Sequence, residues 1–274
     1  MLSSIPSPSS GSLNLGPLTL NAYGAMIAIG VIVAVTVGGR RLEARGGGTR
    51  DDMSAVAMWG VPAGVIGARI YHVITDWDRF SGNLGDAIKI WKGGLGIWGG
   101  IFLGTIVGVM VAKRRGILAT EVLSAVAPGL AFAQAIGRWG NWFNQELFGR
   151  ATTLPWALSV SDETAIKAGF EPGTTFHPTF LYESLLCAAL GFWLIALDRR
   201  VPMRPGRLFA FYVAGYTAFR FFIEGLRIDP AHYAGGLRLN QWVSIVVFAG
   251  ALAVIVAMRG APAVREQDPP APTD

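Results

Sequence analysis

Between Arg138 and Glu146 the chain places a cation, three amides (Asn141, Asn144 and Gln145) and a carboxylate, interleaved with Trp139 and Trp142, directly after the apolar run LSAVAPGLAFAQAI. An arginine flanked by amides can hold a phosphate through paired hydrogen bonds. A carboxylate in reach can orient that arginine or accept a proton. A second polar set lies in YTAFRFFIEGLR, where Tyr216, Arg220, Glu224 and Arg227 recur at helical spacing. At 3.6 residues per turn they share a stripe about 80° wide. Burying a charge at mid-bilayer costs about 2.5 to 3.5 kcal/mol on insertion scales, so such a stripe faces a partner or a cavity. One reading is an Arg220 to Glu224 (i, i+4) pair with Arg227 reaching back to the interface; the other is the polar wall of a site.

Around Arg138 the same wheel puts Trp142 inside the polar arc, which predicts an irregular segment buried in protein, not an amphipathic helix. Gly137, Gly140 and Gly149 would permit such a path. Further polar residues fall near the same ends of their apolar segments: Tyr23 in LNAYGAM, Arg69 in GARIYHV, and His177 with Pro178 in FHPTFLYE. Singly, such residues are common interface anchors. Their convergence on one side makes them candidates for a site that binds a polar-headed lipid.

These residues need elements to position them. Of 274 residues 52% are hydrophobic and only 15% charged, against about 25% charged in soluble domains. That composition defines an all-α polytopic membrane protein. Apolar segments of spanning length, about 20 residues, recur near 19–39, 54–75, 94–112, 119–137, 179–197, 208–225 and 239–258. About seven transmembrane helices are therefore expected, forming one membrane domain over 19–258 with a loop at 138–178. A Ser/Pro/Gly-rich start, 1–18, and a tail, 259–274, read as flexible.

Alternate loops differ in charge. Those after the first, third, fifth and seventh segments carry thirteen Lys and Arg, and the opposite loops carry eight. The richer set belongs in the cytoplasm, which puts the N-terminus outside, the C-terminus inside and residues 138–178 on the outer face.

The net charge of +5 is explained by this bias and does not call for nucleic acid. Cys187, the one cysteine, reads as a small packed residue. His72, His177 and His232 lack metal-ligand spacing, and neither a metal nor a cofactor is expected. The first 18 residues have no basic start, so no cleavable signal peptide is expected. No internal repeat is detectable, which disfavours transporters built from repeated halves.

GRWGNWFNQELFG, residues 137–149, resembles the signature of prolipoprotein diacylglyceryl transferases, with Trp142 where phenylalanine is usual. LGPLTLNAYG, the GAR of the second segment, KGGLGIWGG, HPTFLYE, YTAFRFFIEGLR and LNQW resemble other segments of that family in the same order. The resemblance implies a bacterial inner-membrane enzyme with its site toward the outer leaflet. It would move the diacylglyceryl group of phosphatidylglycerol onto the lipobox cysteine thiol of a prolipoprotein signal peptide, leaving a thioether and glycerol phosphate. It also implies that Arg138, Asn141, Glu146 and Arg220 are catalytic. Tyr23, Tyr216, Arg69, Asn144, His177 and Arg227 would support them or hold the lipid. A thiol of ordinary pKa near 8.5 needs a base or a positive field. Many members carry a histidine where this chain has Trp98, and tryptophan cannot take a proton. That leaves Glu146 or His177 as the base, the arginine field alone, or an impaired paralogue. The alternative from another class is a lipid or small-molecule transporter using the same charged cavity.

Overall fold

A computed structural model describes residues 4–15, 18–90 and 93–260. In chain order the helices are α1 (Ala22–Ala44), α2 (Arg50–Thr75), the short α3 (Trp77–Phe80), α4 (Ile97–Arg114), α5 (Ala119–Asn144), the short α6 (Asp162–Lys167), α7 (Thr179–Arg200), α8 (Arg207–Leu226) and α9 (Leu239–Ala257). Six of them, α1, α2, α4, α5, α7 and α9, are long and apolar enough to cross a membrane. The remaining expected span falls on the 20-residue α8, which Arg220 and Glu224 keep out of that apolar set. Trp59, Ile66 and Ile70 on α2 and Ile101 and Phe102 on α4 are exposed, a costly arrangement in water and the expected one in lipid.

The chain divides into two compact units, Ala28–Ala133 and a discontinuous one made of Met1–Ile27 with Gln134–Asp274. In the first, Thr49 starts α2 with a reciprocal capping box: its hydroxyl accepts from the Asp52 amide while the Asp52 carboxylate accepts from the Thr49 amide. The helix then packs along α4 through glycines. A Cβ on Gly67 would lie 2.3 Å from the Gly99 carbonyl oxygen and 2.6 Å from Leu103 Cβ, and one on Gly99 would lie 2.2 Å from the Gly67 carbonyl oxygen. Lipid supplies no hydrophobic drive between helices, so close backbone approach through small residues is what holds such a pair. Gly67→Ala and Gly99→Ala are each expected to cost about 1 to 3 kcal/mol by overpacking. Gly82→Ala, where nothing lies within 4 Å, should be neutral. Thermal unfolding in detergent checks this; equal midpoints for Gly67→Ala and Gly82→Ala would refute the contact.

In the second unit the chain start, expected to be flexible, holds strands β1 (Ile5–Pro6), β2 (Ser12–Leu15) and β3 (Leu18–Asn21). The last two form an antiparallel hairpin. β1 runs parallel to β4 (Leu158–Ser159), which pairs antiparallel with β5 (Thr175–Phe176). Beneath this small sheet Phe148, Leu158, Val160, Ala165, Phe176 and Phe180 are buried together, with Ile5 and Trp142 packed against them. The apolar cluster gives residues 146–178 a core of their own. The tail beyond residue 260 lies outside the described residues. On the membrane side α8 packs against α9 through Ala210, Ala214, Ala251 and Ile255.

Candidate functional site

The segment expected to be irregular from Gly137 onward is helical as far as Asn144. The amphipathic pattern fails because both sides of the helix meet protein. Trp139 lies edge-on to Phe180 at 5.4 Å and donates to Ser184 Oγ, and Trp142 donates to the Pro6 carbonyl. Arg138 and Asn141 find polar partners within the protein as well. Gly140 serves contact and not backbone freedom, since a Cβ there would sit 2.5 Å from the Tyr23 ring. Likewise a Cβ on Gly149 would sit 2.9 Å from His177 Cβ.

Irregular backbone begins at Gln145 and ends at Leu147, which stand at φ 52° and 60°, the left-handed region that side chains seldom occupy. Gln145 is held there by two bonds, its amide donating to the Pro8 carbonyl and its carbonyl accepting from the Ser161 amide. The turn folds Glu146 back over the helix end: its N–H donates to the Asn141 carbonyl at 3.1 Å, and its carboxylate accepts from Asn141 Nδ2 at 2.9 Å and Asn144 Nδ2 at 3.4 Å. Asn141 Oδ1 in turn accepts from Arg138 Nη1 at 3.3 Å. One amide thus couples the arginine to the carboxylate.

Arg138 has a second partner that the sequence reading did not single out. Glu183 on α7, 2% exposed, takes Arg138 Nε at 2.6 Å on one oxygen and Arg220 Nη1 at 2.5 Å on the other. Arg220 continues to Glu224 Oε2 at 2.5 Å, so the stripe on α8 does form the expected (i, i+4) pair and is also joined to the Arg138 cluster. Glu224, fully buried, is approached by Arg227 Nη1 at 3.4 Å and Arg238 Nε at 3.3 Å. Its Oε1 also accepts from Asn240 at 3.2 Å.

Arg227 does not reach outward to the interface. It grips Asp229 through Nε at 2.7 Å and Nη2 at 2.9 Å, and Arg238 reaches the same carboxylate at 3.1 Å. Burial opposes ionisation of Asp229, but the hydrogen bonds and charge of Arg227, with the charge of Arg238, hold its carboxyl below the usual range. Four guanidiniums therefore face three carboxylates, with Glu146, a fourth, attached through amides. Tyr216 belongs to the same neighbourhood, within electrostatic reach of Arg138, Arg220 and Glu183.

Glu183 and Arg238 were within reach of the rule applied to Arg220, since Glu183 is a carboxylate inside an apolar run and Arg238 adjoins LNQW.

Arg69, expected to hold lipid, is 6% exposed and spends its guanidinium on backbone. Nε donates to Ala87 O, Nη1 to Gly93 O and Gly94 O, and Nη2 to Asp86 O and Lys89 O. All five N–H donors of an arginine are accounted for, and they hold the backbone of Asp86, Ala87, Lys89, Gly93 and Gly94. His177 sits at the backbone crossing where its carbonyl accepts from Gly149 and its amide donates to Arg150. Its Nδ1 lies 3.1 Å from the Tyr182 hydroxyl, which accepts from Trp156 Nε1 at 3.0 Å.

Apolar helices carrying a buried chain of arginines and carboxylates define a polytopic membrane protein. The family model of prolipoprotein diacylglyceryl transferase matches residues 11–257, and the chain belongs to that family. It is 52% identical over 260 residues to phosphatidylglycerol–prolipoprotein diacylglyceryl transferase 1 of Streptomyces coelicolor, covering 93% of this chain and 74% of that protein. Transferase 2 of the same organism is 46% identical over 289 aligned positions, covering 100% of this chain and 90% of its own length. For the phosphatidylglycerol–prolipoprotein diacylglyceryl transferase of Cutibacterium acnes the identity is 47% over 259 residues, with coverage of 93% and 87%.

Proposed function

We propose that this chain transfers the diacylglyceryl group of phosphatidylglycerol to the lipobox cysteine of a prolipoprotein, the first step of lipoprotein maturation. Alongside family membership, the observation that carries the reading is the Glu183 carboxylate shared by Arg138 and Arg220, with Asn141 linking Arg138 to Glu146. The thiolate sulfur attacks the glyceryl carbon bonded to phosphate oxygen. As the S–C bond forms, the C–O bond breaks, and glycerol phosphate leaves with the bonding pair and an added negative charge. Arg138 and Arg220 are placed to meet that charge. An arginine has five N–H donors, and Glu183 with Asn141 engages two of those on Arg138. Guanidiniums fixed in advance by carboxylates need no reorganisation as charge develops, which is the main route to electrostatic catalysis.

For the thiol proton, Glu146 is the better acceptor. His177 Nδ1 is engaged by the Tyr182 hydroxyl at 3.1 Å, which also accepts from Trp156 Nε1. Glu146 is exposed and anchored by amides that leave lone pairs open. Tyr23, Tyr216 and Asn144 shape the surroundings of Arg138, and Arg227 stabilises the far end of the charge network. Family membership leaves the transporter alternative without support. Purified protein given phosphatidylglycerol and a lipobox peptide should yield a thioether-linked peptide and release glycerol phosphate; neither product would appear if the reading is wrong.

The protein is placed in the bacterial inner membrane with residues 138–178 outside, the C-terminus in the cytoplasm and the site toward the outer leaflet. Loop charge supports this orientation. Single cysteines at Lys167 and Arg259 in a Cys187→Ala background test it. An impermeant thiol reagent on intact spheroplasts should label the first and spare the second, and the reverse pattern would overturn the orientation.

A further inference from the structure

Glu224 gives one oxygen to Arg220 and the other to Arg238 and Asn240. The second side belongs to the wall of a cavity of about 170 Å3 lined by Glu224, Asp229, His232, Arg238 and Asn240. About 150 Å3 suffices for a benzene-sized guest, so a three-carbon group fits and an acyl chain does not. The lining is charged but compensated. Arg220, Arg227 and Arg238 surround the Glu224 and Asp229 carboxylates, which leaves no excess negative charge to retain an ammonium group. A second anion would meet two carboxylates.

What the wall does offer is paired donors and acceptors. Arg238 is 2% exposed, and its Nε finds no hydrogen-bond partner among the described residues; Glu224 Oε1 lies 3.3 Å away without the alignment a bond needs. Asn240 Nδ2 carries two hydrogens, of which the bond to Glu224 at 3.2 Å uses one. The carboxylates have more lone pairs than their partners occupy. A hydroxyl, which both gives and accepts, fits such a wall better than a group that can only do one.

We infer that this cavity takes the terminal hydroxyls of the glycerol head group while the phosphate lies on the Arg220 side of Glu224, so that it selects phosphatidylglycerol over phospholipids lacking a diol. The inference rests on the proposed transferase reading and adds the subsite that chooses the lipid.

Phosphatidylpropanol with the same acyl chains lacks only the two hydroxyls and leaves as propyl phosphate, which makes it the probe. With full-length protein in mixed micelles and thioether product counted, the wild type should show kcat/KM about tenfold higher for phosphatidylglycerol, the order expected from losing about one to two net hydrogen bonds. Asn240→Leu keeps the side-chain outline and removes the amide. It should bring the two lipids within about twofold by lowering only the phosphatidylglycerol rate. Ala231→Phe, which fills the cavity from a wall position without charge, should do the same if Asn240→Leu fails to fold. A binding measurement separates this from the reaction: glycerol phosphate should raise the melting temperature of the wild type more than propyl phosphate does, and Asn240→Leu should lose that difference. Equal use of the two lipids, or equal stabilisation by the two phosphates, would overturn the cavity assignment. No thioether from either lipid, with selective stabilisation by glycerol phosphate intact, would overturn the transferase reading and leave the diol site standing.

Discussion

Arg138→Ala is expected to lower diacylglyceryl transfer by about 10² to 10³, the usual cost of removing one donor aimed at developing charge. The side chain touches both Glu183, at 2.6 Å, and Asn141, at 3.3 Å. Its loss therefore removes a phosphate donor and unlatches the amide that orients Glu146. Glu146→Ala should cost a similar factor by a different route, since the general base goes and Asn141 Nδ2 loses its acceptor. The two variants separate on pH. Raising the pH supplies thiolate from solution and should restore part of the Glu146→Ala rate, whereas Arg138→Ala lacks stabilisation of the leaving phosphate and should stay low. Steady-state rates on the lipobox peptide from neutral to alkaline pH, with membrane insertion checked in parallel, decide this. Near-normal turnover in either variant would remove that residue from the site.

Glu183→Leu should be the most damaging single change to the fold. The carboxylate is 2% exposed and bridges two guanidiniums on different helices. Removing one partner from a buried ion pair leaves charge without compensation and costs about 3 to 5 kcal/mol. Arg138 would keep only Asn141 from the contacts described here, and Arg220 only Glu224. Lowered recovery of folded protein and a lower melting temperature are the expected readouts. Glu183→Asp keeps the charge on a shorter arm, so it should recover most stability while leaving the arginines displaced; a misplacement near 1 Å can cost about 10² in rate. A rise in the KM for phosphatidylglycerol with folding restored would mark Glu183 as a residue that positions the arginines. Full activity in a stable Glu183→Leu protein would show that the bridge has no part in catalysis.

Six of the seven expected spans are helices apolar enough to cross a membrane, legible because lipid demands a continuous apolar segment for each crossing. Helical spacing made the Arg220 and Glu224 pair legible too, because contacts at i and i+4 depend on the helix alone. The signature at 137–149 pointed to Arg138, Asn141 and Glu146 through their types and their concentration in an apolar setting. Its backbone was misjudged because periodicity reports one buried face, and here the tryptophans and the polar residues both face protein. Only tertiary structure joined the two polar sets. Glu183 is 37 residues from Arg220 and could meet both arginines only once α5, α7 and α8 were packed. The same holds for Arg69, whose five donors are claimed by carbonyls 17 to 25 residues away. A guanidinium in a sequence is a possible anion site; whether backbone or ligand receives its hydrogen bonds is decided by which acceptors the fold brings within 3 Å.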